Sequence, residues 1–402
     1  MGNEVITRPA YIFSRLSILM LLQFIVFGSW FATMGLVLFT YKLGSIIGMA
    51  YTLCAIAAII SPLVFGAIGD RFISSEKILA ILHILGGTVQ FMIPALIVSG
   101  NSNLILMFIF IYMIFFQPTQ GLVNSLSFKH LGNKSDLYPY LRLFATGGWA
   151  VGGFIVGILG FSSTIGIFYV AGISSIILGL YSFTLPRTYP TAKKQRFNVL
   201  DALGFRSLQL FKHKNFAILM ICALLTSISL GVYNTYASTF IGALGIPSVA
   251  SVMALGQISE VAFIVLVPFV IKRIGMKWAL LVGMAMWGIR FIMFILAAKG
   301  HHWTAIVGVG LHGICNDFFL IISAMYIDRL APPELKVQAQ SWLIIAISGF
   351  GAAFGSLISG YVYSITVDPA QVYSWITLWS IPISIAVLTS IIWLIGFKEK
   401  SE

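Results

Sequence analysis

The chain has 402 residues, 59% of them hydrophobic and only 9% charged, with a formal net charge of +12 and a mean hydropathy of +0.99. Soluble domains carry about a quarter charged residues, so this composition excludes a soluble globular protein. The basic excess implies no nucleic-acid partner either, because Lys and Arg in loops beside anionic lipid headgroups produce it unaided.

The first fifteen residues are polar and carry Arg8 and Arg15, with no short apolar core and cleavage site, so the first apolar segment is expected to be its own insertion signal. Crossing roughly 30 Å of hydrocarbon takes about 20 apolar residues. On that measure the chain offers twelve spans: 16–40, 44–68, 77–99, 103–128, 138–160, 164–185, 216–241, 249–271, 278–298, 303–326, 339–364 and 372–396. One long basic interruption, 186–215, holds Arg187, Lys193, Lys194, Arg196, Arg206, Lys212 and Lys214 and divides the chain into halves 1–185 and 216–402. With both termini in the cytoplasm, twenty of the 24 basic residues are cytoplasmic, Arg142 and Arg290 are intramembrane, and only Lys42 and Lys299 lie outside. The three cysteines, Cys54, Cys222 and Cys315, all fall within spans and imply no disulfide framework.

The halves repeat one another. A charged turn after the second span, Gly66-Ala-Ile-Gly69-Asp70-Arg71, is matched after the eighth by Lys272-Arg273-Ile-Gly275-Met-Lys277. Span 5 pairs Gly148 with Gly152 and Gly153 with Gly157, and span 11 pairs Gly351 with Gly355, a spacing that lets helix backbones approach closely.

Four ionisable residues break the apolar runs: Arg142, Glu260, Arg290 and Asp317. Each costs roughly 2.5–3.5 kcal/mol near the bilayer centre even on lenient scales, so such residues normally face a bundle interior or a wet cavity. On span 5, Arg142, Thr146 and Trp149 at i, i+4 and i+7 place a cation, a hydroxyl and an aromatic plate on one face. Arg142 also lies close enough to the end of its span to snorkel to the surface. Gln257 and Glu260 share a face of span 8, and Asn234 adds a second amide from span 7. Amides offer donor and acceptor together, which suits the edge of a heterocyclic base, and a carboxylate suits hydroxyls or a proton. A lone carboxyl in hydrocarbon tends to take up a proton, which favours Glu260 and Asp317 as proton carriers. Asp317 could instead form an ion pair with Arg290, either permanent or broken by protonation. His312 and Asn316, four apart on span 10, share a face, while His83 in span 3 has no polar neighbour in sequence and reads as structural.

The chain has no Gly-Lys dipeptide and so no phosphate loop, and no His-Glu-x-x-His or Gly-x-Ser-x-Gly motif, which excludes an ATP-driven pump and the common intramembrane hydrolases. The Gly-x-x-x-Asp-Arg turn with the six-plus-six layout resembles the major facilitator superfamily. Within it, Leu22-Gln-Phe-Ile-Val-Phe-Gly-Ser-Trp30, Pro118-Thr-Gln-Gly-Leu-Val-Asn124, Arg142-Leu-Phe-Ala-Thr146, Gln257-Ile-Ser-Glu260 and Asp317-Phe-Phe319 resemble the nucleoside:proton symporter family. The resemblance implies an all-α polytopic protein of a bacterial inner membrane, with twelve transmembrane helices in two six-helix halves of the major facilitator fold. It further implies a monomeric carrier in membrane lipid that imports nucleosides with protons by alternating access, without metal or organic cofactor. The alternative is a symporter or exporter of another small polar solute, such as a sugar. Positions matching Arg142, Thr146, Trp149, Asn234, Gln257 and Glu260 contribute to the nucleoside site of that family, and the one matching Asp317 to proton coupling. The chain departs where His312 and Asn316 replace aromatic residues of well-characterised members and where Gly231 replaces an amide. His312 and Asn316 are thus candidate determinants of base or sugar preference.

Overall fold

The computed structural model describes residues 9–69, 74–188, 205–332 and 335–398. Among them, ten helices are long and apolar enough to cross a membrane, and two shorter apolar helices, Gly166–Ser182 and Val249–Ile264, stand where the sixth and eighth spans are expected. Because hydrocarbon offers no partner to a bare backbone, each crossing segment satisfies its own N–H and C=O groups as a helix. Their outer faces remain apolar and open, as at Val98, Ile158, Val265 and Ile395.

In chain order the helices are α1 (Pro9–Gly28, resuming after a turn as Met34–Thr40), α2 (Ile47–Gly69), α3 (Ser75–Ser99), α4 (Ser102–Leu131), α5 (Tyr138–Ile158) and α6 (Gly166–Ser182). There follow α7 (Lys214–Ala243), then α8 and α9 as the two arms of Val249–Ala298 divided at Gly275, α10 (Trp303–Leu330), α11 (Lys336–Thr366) and α12 (Ile376–Gly396). The first span is not continuous as the sequence suggests. Ser29 Oγ donates to the Ile25 carbonyl at 2.6 Å, a back-bond that bends helices, and the chain turns through residues 29–33 before resuming. The charged turn after span 8 contracts to one non-helical residue, Gly275 at φ 77° and ψ 166°, a conformation that needs a glycine. Of the first-half turn, residues 70–73 lie outside the described residues, as does most of 186–215.

Two compact units are present. The first comprises Met1–Gly44, Ala57–Arg196 and Ser248–Ala254, the second Ser45–Ile56, Phe197–Pro247 and Leu255–Glu402. In the first unit the glycines of α5 replace side chains with backbone: a Cβ on Gly148 meets the Leu21 carbonyl of α1, one on Gly152 meets the Ile25 carbonyl at 2.8 Å, and one on Gly153 meets Ala254 at 3.0 Å. A buried polar ring also joins α1, α3, α4 and α6. His83 meets Gln23 Oε1 at 2.8 Å and Ser175 Oγ at 3.0 Å, and Gln23 Nε2 donates to Thr119 Oγ1 at 2.8 Å.

The second unit has an apolar core around Phe216, Leu219, Met284, Phe319 and Trp393. A Cβ on Gly355 of α11 meets the Ile228 carbonyl of α7, and the corresponding atom on Gly231 sits 3.0 Å from the Gly355 Cα. Helix α11 therefore occupies the space that an amide at position 231 requires. Two π-helical turns interrupt the α-helices of this unit, Asp317–Ile321 in α10 and Ile345–Gly351 in α11. Such bulges are frequent at functional sites.

Candidate functional site

In the first unit the site residues of α5 are set by its approach to α1. A Cβ on Gly28 lies 2.5 Å from the Trp149 carbonyl oxygen, so only glycine allows the two backbones to meet there. This contact places the Trp149 indole edge-on to Phe27, with centroids 4.7 Å apart, and 6.2 Å from Phe31. One turn back, Thr146 Oγ1 lies 3.5 Å from the Arg142 carbonyl, at the limit of a hydrogen bond, which leaves its hydroxyl available. Arg142 is exposed, its guanidinium 5.4 Å from the Phe24 ring. The cation, hydroxyl and aromatic plate anticipated from sequence thus lie along an edge shared with the α1 aromatics Phe24, Phe27 and Phe31.

The second unit holds the other candidates. Asn234 and Gln257 are half-buried, and neither side chain has a hydrogen bond among the described residues, so neither serves as interhelical glue. Glu260 stands beside α10 because α8 and α10 touch through backbone. A Cβ on Gly313 meets the Ser259 carbonyl, one on Gly256 lies 3.1 Å from the His312 Cβ, and the Gly313 N–H donates to Ser259 Oγ at 2.8 Å. That contact brings His312 Nε2 to 3.8 Å from Glu260 Oε2 and, one turn along, to 2.8 Å from the Asn316 amide. His312 is 6% exposed, with its ring stacked on Tyr233 at a centroid separation of 5.5 Å. Asn316, one turn along, is half-buried.

The alternative pairing of Arg290 with Asp317 is not formed. Arg290 is fully buried and donates from NH1 to His312 Nδ1 at 2.9 Å, its guanidinium 3.4 Å from the centre of the Tyr233 ring. Asp317 is 1% exposed, and both its carboxyl oxygens are without a hydrogen-bond partner in the protein. The reason is angular: five residues separate His312 from Asp317, about 140° around an ideal helix, so an arginine that meets one faces away from the other. Asp317 opens the π-turn of α10, against which α9 packs so closely that a Cβ on Gly283 meets the Phe318 carbonyl carbon at 2.8 Å. Asp317 also lies near enough to Glu260 to feel its charge.

Three residues here escaped the reading of the sequence. Tyr233 carries both Arg290 and His312 on its ring, and Ser259 and Gly313 form the α8–α10 contact. Tyr233 precedes Asn234 directly, which was the available signal. No cluster of three or more His, Cys, Asp or Glu able to hold a metal ion is found among the described residues.

Comparisons with known proteins bear on this arrangement. The family model described as nucleoside H+ symporter matches residues 11–402. The nucleoside permease NupG of Escherichia coli (strain K12) is 28% identical over 407 residues, covering 96% of this chain and 96% of the permease. A xanthosine permease of the same organism is 27% identical over 409 residues, again covering 96% of each. The crystal structure of nucleoside transporter NupG superposes with a TM-score of 0.84 at 29% identity, covering 96% of this chain and 99% of that one.

Proposed function

The chain belongs to the nucleoside H+ symporter family, a family of transporters rather than enzymes, and on that premise we propose a division of labour among its residues. It is a multi-pass membrane protein that imports nucleosides together with protons. The observation that carries the proton half of this reading is Asp317, a carboxyl inside the membrane with no donor on either oxygen. An ionised carboxylate in that position is costly, whereas a neutral acid is tolerated, so the group is suited to take up a proton on one side and surrender it on the other. Glu260, half-buried and electrostatically linked to Asp317, is the second candidate carrier.

For the nucleoside, the unengaged amides of Asn234 and Gln257 offer paired donors and acceptors to a base, and the Glu260 carboxylate is of a kind that suits ribose hydroxyls. Trp149 supplies a stacking plate, and Arg142 and Thr146 supply donors beside it. His312 and Asn316 shape preference among nucleosides. We assign the moving bodies to the halves 1–185 and 216–402, joined by the basic linker 186–215, with alternating access as the cycle. We assign the chain to a bacterial inner membrane as a single copy, and the basic residues of its loops favour both termini in the cytoplasm.

The test is uptake of radiolabelled nucleosides, sugars and amino acids into proteoliposomes bearing the full chain and an inward proton gradient. Nucleosides alone should accumulate, and the accumulation should vanish when the gradient is collapsed. Gradient-driven accumulation of a sugar with no response to nucleosides would overturn the reading.

A further inference from the structure

Arg290 touches none of the proposed substrate amides, yet it is the one arginine buried completely among the described residues. Two contacts on His312 together decide how the hydrogens run. A guanidinium only donates, so across the 2.9 Å contact an Arg290 N–H donates and His312 Nδ1 accepts. A neutral imidazole accepts at one nitrogen and donates from the other, so the hydrogen of His312 lies on Nε2. The Asn316 amide stands 2.8 Å from Nε2, whereas Glu260 Oε2 at 3.8 Å is outside hydrogen-bond reach. Asn316 therefore accepts through its oxygen, because its nitrogen in that place would set two donors against each other. The other end of the amide is buried without a hydrogen-bond partner in the protein. In this orientation that end is the NH2 group.

We propose that Arg290 is a positioning residue for base selection: by fixing the direction of the Arg290–His312–Asn316 chain, it presents the Asn316 amide to the nucleoside as a donor only. Such a group selects bases with a carbonyl oxygen at the exocyclic position, as in uridine and inosine, over bases with an amino group there, as in cytidine and adenosine. The proposal rests on the reading of the chain as a nucleoside importer. The amides of Asn234 and Gln257 are unengaged and can turn to suit either kind of base. Asn316 cannot turn, since its NH2 would then face the His312 N–H, whose hydrogen Arg290 keeps in place. A substrate oxygen satisfies the orphaned NH2, whereas a substrate amino group leaves donors unpaired on both sides. The Tyr233 ring lies against both the guanidinium, 3.4 Å from its centre, and the imidazole, and so holds the chain from α7. Asn316 directly precedes Asp317 on α10, which sets the selecting donor beside the acid assigned to the proton.

The test titrates the purified full chain with uridine, cytidine, inosine and adenosine. Wild type should bind uridine over cytidine, and inosine over adenosine, by about tenfold each, the weight of one misdirected hydrogen bond. Asn316→Ala, His312→Phe and Arg290→Met should each bring both ratios towards one, while Arg290→Lys, which keeps a donor to Nδ1, should retain them. Equal affinities in wild type, or a ranking that puts the amino bases first, overturn the proposal. So does a preference that survives Asn316→Ala, or one that survives His312→Phe. A purely structural role for Arg290 would weaken all four nucleosides alike in Arg290→Met and leave the ratios intact, which also contradicts it. Because Arg290→Met removes a fully buried side chain, a second readout uses the intact protein: nitrogen NMR of ¹⁵N-histidine-labelled wild type, with His312 assigned by its loss in His312→Phe. A neutral Nε2–H ring is expected, and a protonated or Nδ1–H ring contradicts the fixed direction of the chain. Binding of none of the four nucleosides would overturn the importer reading itself, whereas binding of all four without preference overturns this proposal alone.

Discussion

Each unit buries a histidine in a polar network, and the two networks close differently. Around His83 the ring is complete: Gln23 and Ser175 meet the two ring nitrogens, and Gln23 passes to Thr119, which donates to the Phe116 carbonyl at 2.5 Å. Around His312 the network is open: Arg290 keeps Nε and NH2 without protein partners, and Asp317 keeps both oxygens so. A fully satisfied buried network rigidifies the bundle, whereas unpartnered buried polar groups cost free energy that only a change of state or a ligand recovers. The first therefore reads as structure and the second as machinery.

The largest effect is expected at the open end. Asp317→Asn mimics the protonated acid, so exchange of nucleoside should survive while accumulation driven by a proton gradient is lost, about tenfold per pH unit for each coupled proton. Because Arg290 does not pair with Asp317, adding Arg290→Gln should not restore accumulation; restoration would return the ion pair to the account. Gradient-driven uptake by the single and double variants checks both statements.

At the nucleoside groups the effects are intermediate. Asn234→Ala and Gln257→Ala each remove one hydrogen-bonding amide and should weaken binding about fivefold, near 1 kcal/mol, as measured by titration of the purified protein. Arg142→Lys should fall similarly if the planar fork is used, since an ammonium presents only a point charge. Full affinity in Arg142→Lys would assign Arg142 to the membrane surface.

The closed network should have the smallest effect on transport. His83→Phe or Gln23→Leu leaves buried partners unsatisfied and should lower stability by about 1–3 kcal/mol, seen as a lower melting temperature, with the pH profile and nucleoside ranking unchanged. A displaced pH profile in either variant would erase the distinction between the two histidines.

The sequence reveals the helices and the candidate residues better than their partners. Hydropathy locates the ten long apolar helices found among the described residues because crossing hydrocarbon demands such helices, and spacing along one helix groups Arg142 with Thr146 and Trp149, and Gln257 with Glu260. It fails wherever a partner comes from another helix. His83 looks solitary in the chain, yet its neighbours Gln23 and Ser175 arrive from α1 and α6. The expectation that Arg290 meets Asp317 follows opposite charge alone, and the turn of α10 defeats it by aiming His312 at the arginine. The break in α1 was hidden because Ser29 bends the helix through a single hydroxyl inside an unbroken apolar run. The glycine pairs, in contrast, were legible as sites of close approach, and Gly148, Gly152 and Gly355 meet backbone as their spacing implies.

The most direct test of the account follows protons and nucleoside together. Proteoliposomes containing the chain and an entrapped pH indicator, with no imposed gradient, receive an inward pulse of uridine or inosine. Nucleoside entry should acidify the interior in the wild-type protein, and Asp317→Asn, still able to exchange nucleoside, should give no acidification. Nucleoside entry without acidification in the wild type, or acidification that persists in Asp317→Asn, would contradict proton coupling through Asp317.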